Sequence, residues 1–225
     1  MKSLNKAYDM AIERAYIITI SGHEKSEEQA AACAASCEKV GMPHTLWDAF
    51  DGTKGEIAVP PHAKDASWLP WLKVNDHHLS PTEIACALSH ISLWAHCATM
   101  DKPIVILEHD ALVLAPYREH IAYNAIAYLG SQEQYMGKMQ VRTIPPHGSL
   151  NHNRHFILRA HAYAIDPAIA RNLMAYVLRY GIHESLDVMI NVDIFTIVQP
   201  GLFAYDNFRG ETTITNRKQD EGKER

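Results

Sequence analysis

A chain of 225 residues, 47% apolar and 21% charged, can bury a full core without disulfides or structural metals, and its composition is unlike that of a disordered or collagen-like sequence. A net charge of −5 with scattered Lys and Arg excludes a protein that grips nucleic acid mainly by neutralising phosphates. The opening MKSLNKAYDMAIER lacks the apolar core of a signal peptide, and no apolar run is long enough to cross a bilayer. The expected location is therefore cytoplasmic, at most peripheral to the inner membrane. The four cysteines (Cys33, Cys37, Cys86 and Cys97) fall in two helical stretches without a Cys-x-x-Cys motif and read as reduced core residues; the fourteen histidines form no His-Glu-x-x-His.

In chain order, Ala15–Ile20 (AYIITI) predicts a buried strand. Ser26 followed by Gln29 predicts a capping box opening a helix that runs to Val40 and stops at Gly41. A second strand, HTLWDAF, ends at Asp51-Gly52, so strand, helix and strand fit a βαβ unit whose loops bring ligand-binding groups to the carboxyl edge of a sheet. Gly22 and Asp51-Gly52 are expected on one rim. Residues 53–78, with Pro60, Pro61, Pro70, Trp68 and Trp71, predict an irregular excursion, a candidate loop over the site, in which the tryptophans either stack on an acceptor sugar or base or, as is commoner beside prolines, form a satellite packing cluster.

Ser80-Pro81-Thr82-Glu83 is a second capping box, with proline at the first helical position, and its helix is expected to reach about Met100 with an apolar stripe of Ile84, Leu88, Ile91, Ala95 and Ala98. After Pro103 the all-apolar run Ile104–Leu107 predicts a strand covered on both faces, followed at once by Glu108-His109-Asp110. Further on, the pattern predicts a helix over Tyr117–Leu129, strands over Lys138–Thr143 and Phe156–Ile165, and a helix begun by Asp166-Pro167 that ends near Gly181. Asp187 and Asp193 flank the apolar stretch VMINVDIFTIV, and no internal repeat is present. Alternating strands and helices point to an α/β layer fold.

If the chain stays extended past Leu107, period-two geometry sends Glu108 and Asp110 to one side and His109 to the other. Two carboxylates at the end of a buried strand suit a hard divalent ion, which retains open positions for a diphosphate. Taken alone, such a triplet more often caps a strand and pairs with Lys or Arg.

The order Ala49-Phe50-Asp51-Gly52, LSPTEIACALSH and ILEHD, followed by HAYAIDPAIARNLM, Asp187, QPGLF and Thr212-Thr213-Ile214, resembles glycosyltransferase family 25, which includes lipooligosaccharide galactosyltransferases of bacteria and collagen galactosyltransferases. The resemblance covers most of residues 15–214. It implies a GT-A-like single domain over 15–208, mostly parallel twisted sheet flanked by helices; 1–14 is left as an N-terminal extension, and the mixed charges of 209–225 predict a partly disordered tail.

The implied activity is inverting transfer of a hexose, galactose or glucose, from a UDP-sugar to a hydroxyl of a glycan or lipooligosaccharide, with Mn2+ or Mg2+ as cofactor. On this resemblance Asp110 is the metal ligand, with Glu108 as second ligand or ribose contact and His109 standing where the family commonly has an aspartate. Imidazole there supplies no negative charge to a hard cation. Asp187 is the expected general base, with Glu184 and Asp193 as alternatives. Donor-side contacts are expected from Ile20, Ser21, Gly22, Asp51, Gly52, Glu83, Ser89, His90 and Glu108. Ser89 and His90 also fit a buried polar pair tying helix to strand. Two alternatives remain: the same fold glycosylating hydroxymethylated pyrimidines in viral DNA, for which no basic stripe speaks, and a non-catalytic nucleotide- or carbohydrate-binding module.

Overall fold

Side-chain alternation along two neighbouring strands explains how the sheet is covered. In β1 (Ala15–Thr19) and β3 (Ile104–Glu108), Ala15, Ile17, Val105 and Leu107 pack into one apolar cluster, while Tyr16, Ile18, Ile104 and Ile106 pack into another. Continuing the alternation by one step puts Glu108 on the second face. The computed structural model describes residues 12, 14–76, 78–117, 125–132, 142–143, 160–190, 194–200 and 202–207.

The main sheet has seven strands in the order β2-β1-β3-β8-β5-β9-β7, where β2 is His44–Asp48, β5 Ala125–Tyr128, β7 Arg142–Thr143, β8 Ala162–Ile165 and β9 Thr196–Gln199. Parallel pairing of β1 with β2 and β3, and of β5 with β9, leaves only β8 and β7 reversed, so five strands share one direction. This is the mostly parallel α/β sheet expected. A smaller sheet, which the sequence pattern did not reveal, joins β4 (Ala111–Val113), β10 (Ala204–Asp206) and β6 (Gly130–Gln132) in the order β4-β10-β6.

Helix α1 (Glu24–Lys39) covers the first face through Ala30, Cys33 and Cys37. Its start departs from expectation: His23 is the cap, accepting from the Ser26 backbone N–H through Nδ1 at 3.3 Å. Ser26 sits one turn inside, fully buried, and its Oγ accepts from the Ile20 backbone N–H at 2.9 Å. His23-Glu24 precedes the Ser-x-x-Gln pattern and captures the free N–H groups first.

Helix α2 (Pro81–Ala98) starts as expected, with the Ser80 and Glu83 side chains each bonded to the other's backbone N–H. It is wedged between the sheet and helix α3 (Pro167–Tyr180). Its buried set, including Leu88, Ser89, His90, Ile91, Leu93, Trp94 and Cys97, is therefore far wider than the single stripe predicted. Asp166 caps α3 by accepting from Ile169 N at 2.7 Å, and Gly181 ends it at φ +77°, both as expected.

The predicted helix over Tyr117–Leu129 is corrected: Ala125–Tyr128 is the buried strand β5 between β8 and β9, while 118–124 lie outside the described residues. A run such as AIAY has no period that separates strand from helix, and burial on both faces decides it. Of the strands expected at Lys138–Thr143 and Phe156–Ile165, Arg142–Thr143 and Ala162–Ile165 are strand; residues 138–141 and 156–159 lie outside the described residues. Residues 1–11 of the N-terminal extension, Asp193, Thr212-Thr213-Ile214 and the charged tail also lie outside them. Trp71 is 74% exposed, whereas Trp68 packs against the core, so the expected tryptophan cluster forms only in part. No helix among the described residues is long and apolar enough to cross a membrane.

Candidate functional site

Because β1, β2 and β3 run parallel, their carboxyl ends share one edge, and there the chain opens a cleft of roughly 660 Å³, open solvent included. Its floor is Ile18 and Ile20 at the end of β1, Ala49 to Thr53 without Asp51 after β2, and Glu108, His109 and Asp110 at the end of β3; Thr82, Ala85, Cys86, Ser89 and His90 of α2 form one wall. The strand ends at Glu108, and His109-Asp110 form the turn into β4; all three residues line the cleft, with Glu108 turned to α2 and His109 to Ser26 of α1.

Glu108 is the best-positioned acid. Its face of β3 looks onto α2, where Oε1 lies 3.2 Å from His90 Nε2 and 3.9 Å from Cys86 Sγ. His90 is buried, whereas the Glu108 side chain remains 26% exposed and so is accessible from the cleft. Behind His90, Tyr163 Oη lies 2.8 Å from Nδ1 and accepts from Trp94 Nε1 at 2.8 Å. Indole only donates, so every group in the chain is used when Trp94 donates to Tyr163, the phenol to His90 Nδ1, and His90 Nε2–H to Glu108. Burial alone would raise the Glu108 carboxyl, but the hydrogen bond from His90, with the electrostatic influence of the nearby His90, His161 and His109 rings, outweighs it and holds the pKa below the usual carboxylate range.

His109 takes its orientation from Ser26, whose Oγ lies 3.2 Å from Nδ1. Burial pushes the His109 pKa down, Glu108 pulls it up, and His23 and Lys25 push it down again; the net shift is downward, leaving a neutral imidazole at neutral pH.

The other predicted residues divide. Gly52 lines the cleft, and a Cβ there would stand 2.2 Å from the Pro81 carbonyl oxygen, so the close approach glycine permits is to the start of α2. Asp51 closes an Asx turn, its Oδ1 accepting from Thr53 N at 2.8 Å and from Thr53 Oγ1 at 2.6 Å. Burial opposes ionisation of Asp51, yet these bonds, with Lys54 and His23, leave its pKa lowered. Ser89 lines the wall but is committed to structure, accepting from Phe50 N at 2.9 Å and donating to Ala85 O at 2.7 Å. Glu83 serves the cap of α2. Ile20 lines the cleft; Ser21 donates to Asp48, and Gly22 N donates to Glu27 Oε1 at 2.8 Å, both on the exposed surface outside the lining.

Asp187 lies in the first turn of the short helix α4 (Leu186–Met189) and accepts from Ser185 Oγ at 2.8 Å. It lies outside the cleft lining but close enough to raise the Cys86 pKa: burial is the first cause, followed by Glu108, Asp187, Asp110 and Glu83. Glu184 precedes α4 and is half-buried.

Sequence reasoning missed Cys86, Thr53, Thr82, and the Trp94-Tyr163 pair behind His90. One signal was available: Cys86 and His90 are four apart and so share a helix face.

The model of glycosyltransferase family 25, described as LPS biosynthesis protein, matches residues 13–196. The chain belongs to glycosyltransferase family 25. Nothing among the curated proteins matches it. Membership makes the protein a glycosyltransferase, an enzyme that takes a nucleotide-sugar donor and a glycan acceptor. The cleft at the carboxyl edge, with Glu108, His109 and Asp110 on its floor, is the candidate active site of this family 25 chain.

Proposed function

We propose that this family 25 enzyme moves a hexose, galactose or glucose, from a UDP-sugar to a hydroxyl of a lipooligosaccharide-type glycan, with inversion at the transferred carbon and in a GT-A-like site. The supporting observation is the convergence of Glu108 and Asp110 in the one cleft that also receives the carboxyl ends of β1 and β2. The residues present fit a divalent cation: two carboxyl side chains line the site, and Glu108 is held ionised by His90. Asp110 and Glu108 would hold Mn2+ or Mg2+, which when bound supplies charge to offset that of the departing diphosphate.

The chain's own residues do the rest. His90 orients Glu108, with Tyr163 and Trp94 behind it. Gly52 and Thr53 form the nucleotide-side turn, and the apolar floor at Ile18, Ala49 and Phe50 excludes water from the transferred sugar. Asp187, whose field reaches Cys86 on the wall, takes the proton from the acceptor hydroxyl as the new bond forms. Glu184 is the alternative base.

The test is UDP release from a panel of UDP-hexoses with Mn2+ and a lipooligosaccharide acceptor. Native protein releases UDP with one of them and Asp110→Ala does not; equal turnover by the variant rejects the metal role. Calorimetric binding of UDP-sugar without transfer or hydrolysis across the acceptor panel would instead favour a binding module.

A further inference from the structure

The wall of the cleft carries a donor set that two carboxylates do not explain. Cys86 Sγ, His90 Nε2 and Glu108 Oε1 all lie within 4.8 Å of one another, one ligand atom from each residue. The helix supplies Cys86 and His90 on the same face one turn apart, and β3 brings Glu108 against them.

We propose that these three residues form a binding site for a borderline-soft divalent cation of the zinc type, separate in chemistry from the hard-cation site proposed at Asp110. Zinc takes sulfur at about 2.3 Å and nitrogen or oxygen at about 2.0–2.2 Å, so neighbouring ligands of a tetrahedron stand roughly 3.3–3.7 Å apart. The 3.2 Å between His90 and Glu108 and the 3.9 Å between Cys86 and Glu108 bracket that range, so small side-chain adjustments close the site. Thiolate and imidazole select zinc-class ions over magnesium or manganese, which favour oxygen.

A second set of contacts supports the ligands. His90 Nδ1 is held by Tyr163 Oη at 2.8 Å, the outer hydrogen bond that orients a metal-bound imidazole. On binding, the Cys86 thiol proton leaves to solvent, and the His90 proton moves from Nε2 to Nδ1, from which it donates to the phenol oxygen. Three protein ligands leave the fourth position toward the cleft, which all three residues line. Occupancy withdraws one Glu108 oxygen from the donor side, so zinc opposes the manganese or magnesium site.

The experiment uses the full chain and Co2+ as a spectroscopic stand-in for zinc. The native protein shows a thiolate-to-cobalt charge-transfer band that Zn2+ abolishes by displacement, and the band is absent from Cys86→Ser and Cys86→Ala proteins with native circular dichroism. Zinc affinity against a chromophoric chelator falls at least tenfold in both. A missing band in the native protein, or one that survives in the Cys86 variants, overturns the proposal. Should both variants fail to fold, alkylation of native protein mapped by mass spectrometry decides. Zn2+ slows modification of Cys86 at least tenfold and Mg2+ does not; an unchanged rate with Zn2+ overturns it. Neither readout depends on sugar transfer, so failure here is distinguishable from failure of the proposed reaction.

Discussion

Removing the Tyr163 hydroxyl tests whether Glu108 is positioned from behind. In Tyr163→Phe, Trp94 Nε1–H loses its acceptor and His90 Nδ1 loses its phenol, and His90, Trp94 and Tyr163 are all buried. A buried polar group left unsatisfied costs about 1–3 kcal/mol, so two of them, allowing for partial relaxation, cost about 2–4 kcal/mol. For a chain of this size each kcal/mol lowers Tm by about 2–4 °C, giving a drop of roughly 5–15 °C. The assay is thermal unfolding followed by circular dichroism, with Tyr176→Phe as control. Tyr176 makes a single half-buried hydroxyl bond, to His183 Nε2 at 3.2 Å, and its loss is expected to cost about 1 kcal/mol or less. Donor turnover should fall in Tyr163→Phe as His90 loses its anchor. A Tyr163→Phe protein that melts within about 2 °C of the native one refutes the reasoning, because the phenol would then be satisfying nothing.

Gly52→Ala places a methyl group against the Pro81 backbone, where no flexible side chain can move aside; overpacking of about 1–3 kcal/mol is expected, and an unchanged urea midpoint would contradict it. Burial pushes the Cys97 thiol from the ordinary 9.0 up to about 12. Above pH 9 the unfolded thiol loses its proton while the folded one keeps it, so this contribution to stability falls as pH rises from about 9 to 12, by up to about 4 kcal/mol. Cys97→Ser should lose less stability than native protein across that window; parallel pH profiles would remove the argument. His109→Asp adds a carboxylate beside Asp110 and should tighten Mn2+ binding roughly tenfold, about 1.4 kcal/mol. Titration calorimetry reads it directly, and equal or weaker binding would argue that His109 does not face the ion.

Local signals were legible wherever the physics is local. The Ser80-Glu83 box, the Asp166-Pro167 start and the Gly181 stop depend on a few adjacent residues, and the structure reproduces each. Alternation in β1 and β3 is likewise a property of the strand itself. Where two signals overlap, as at His23-Glu24 and Ser26, the chain chose the earlier cap and freed Ser26 to reach His109. Non-local features stayed hidden. β5 is a strand because β8 and β9 flank it, and nothing within AIAY says so. Cys86 looked like a small core residue because its meaning arises only when β3 brings Glu108 to the same face of α2. The resemblance identified the family and directed attention to Glu108, His109 and Asp110, but the turn at His109-Asp110 had to be seen in three dimensions.

The central claim is that Glu108 and Asp110 hold a divalent cation against the diphosphate of a nucleotide. Calorimetric titration of UDP into the native protein and into Asp110→Asn, each with and without Mn2+, tests it most directly. The account predicts that Mn2+ tightens UDP binding to the native protein and that Asp110→Asn loses at least tenfold of that affinity, about 1.4 kcal/mol. UDP binding that is equally tight with and without Mn2+, and unchanged in Asp110→Asn, would contradict it.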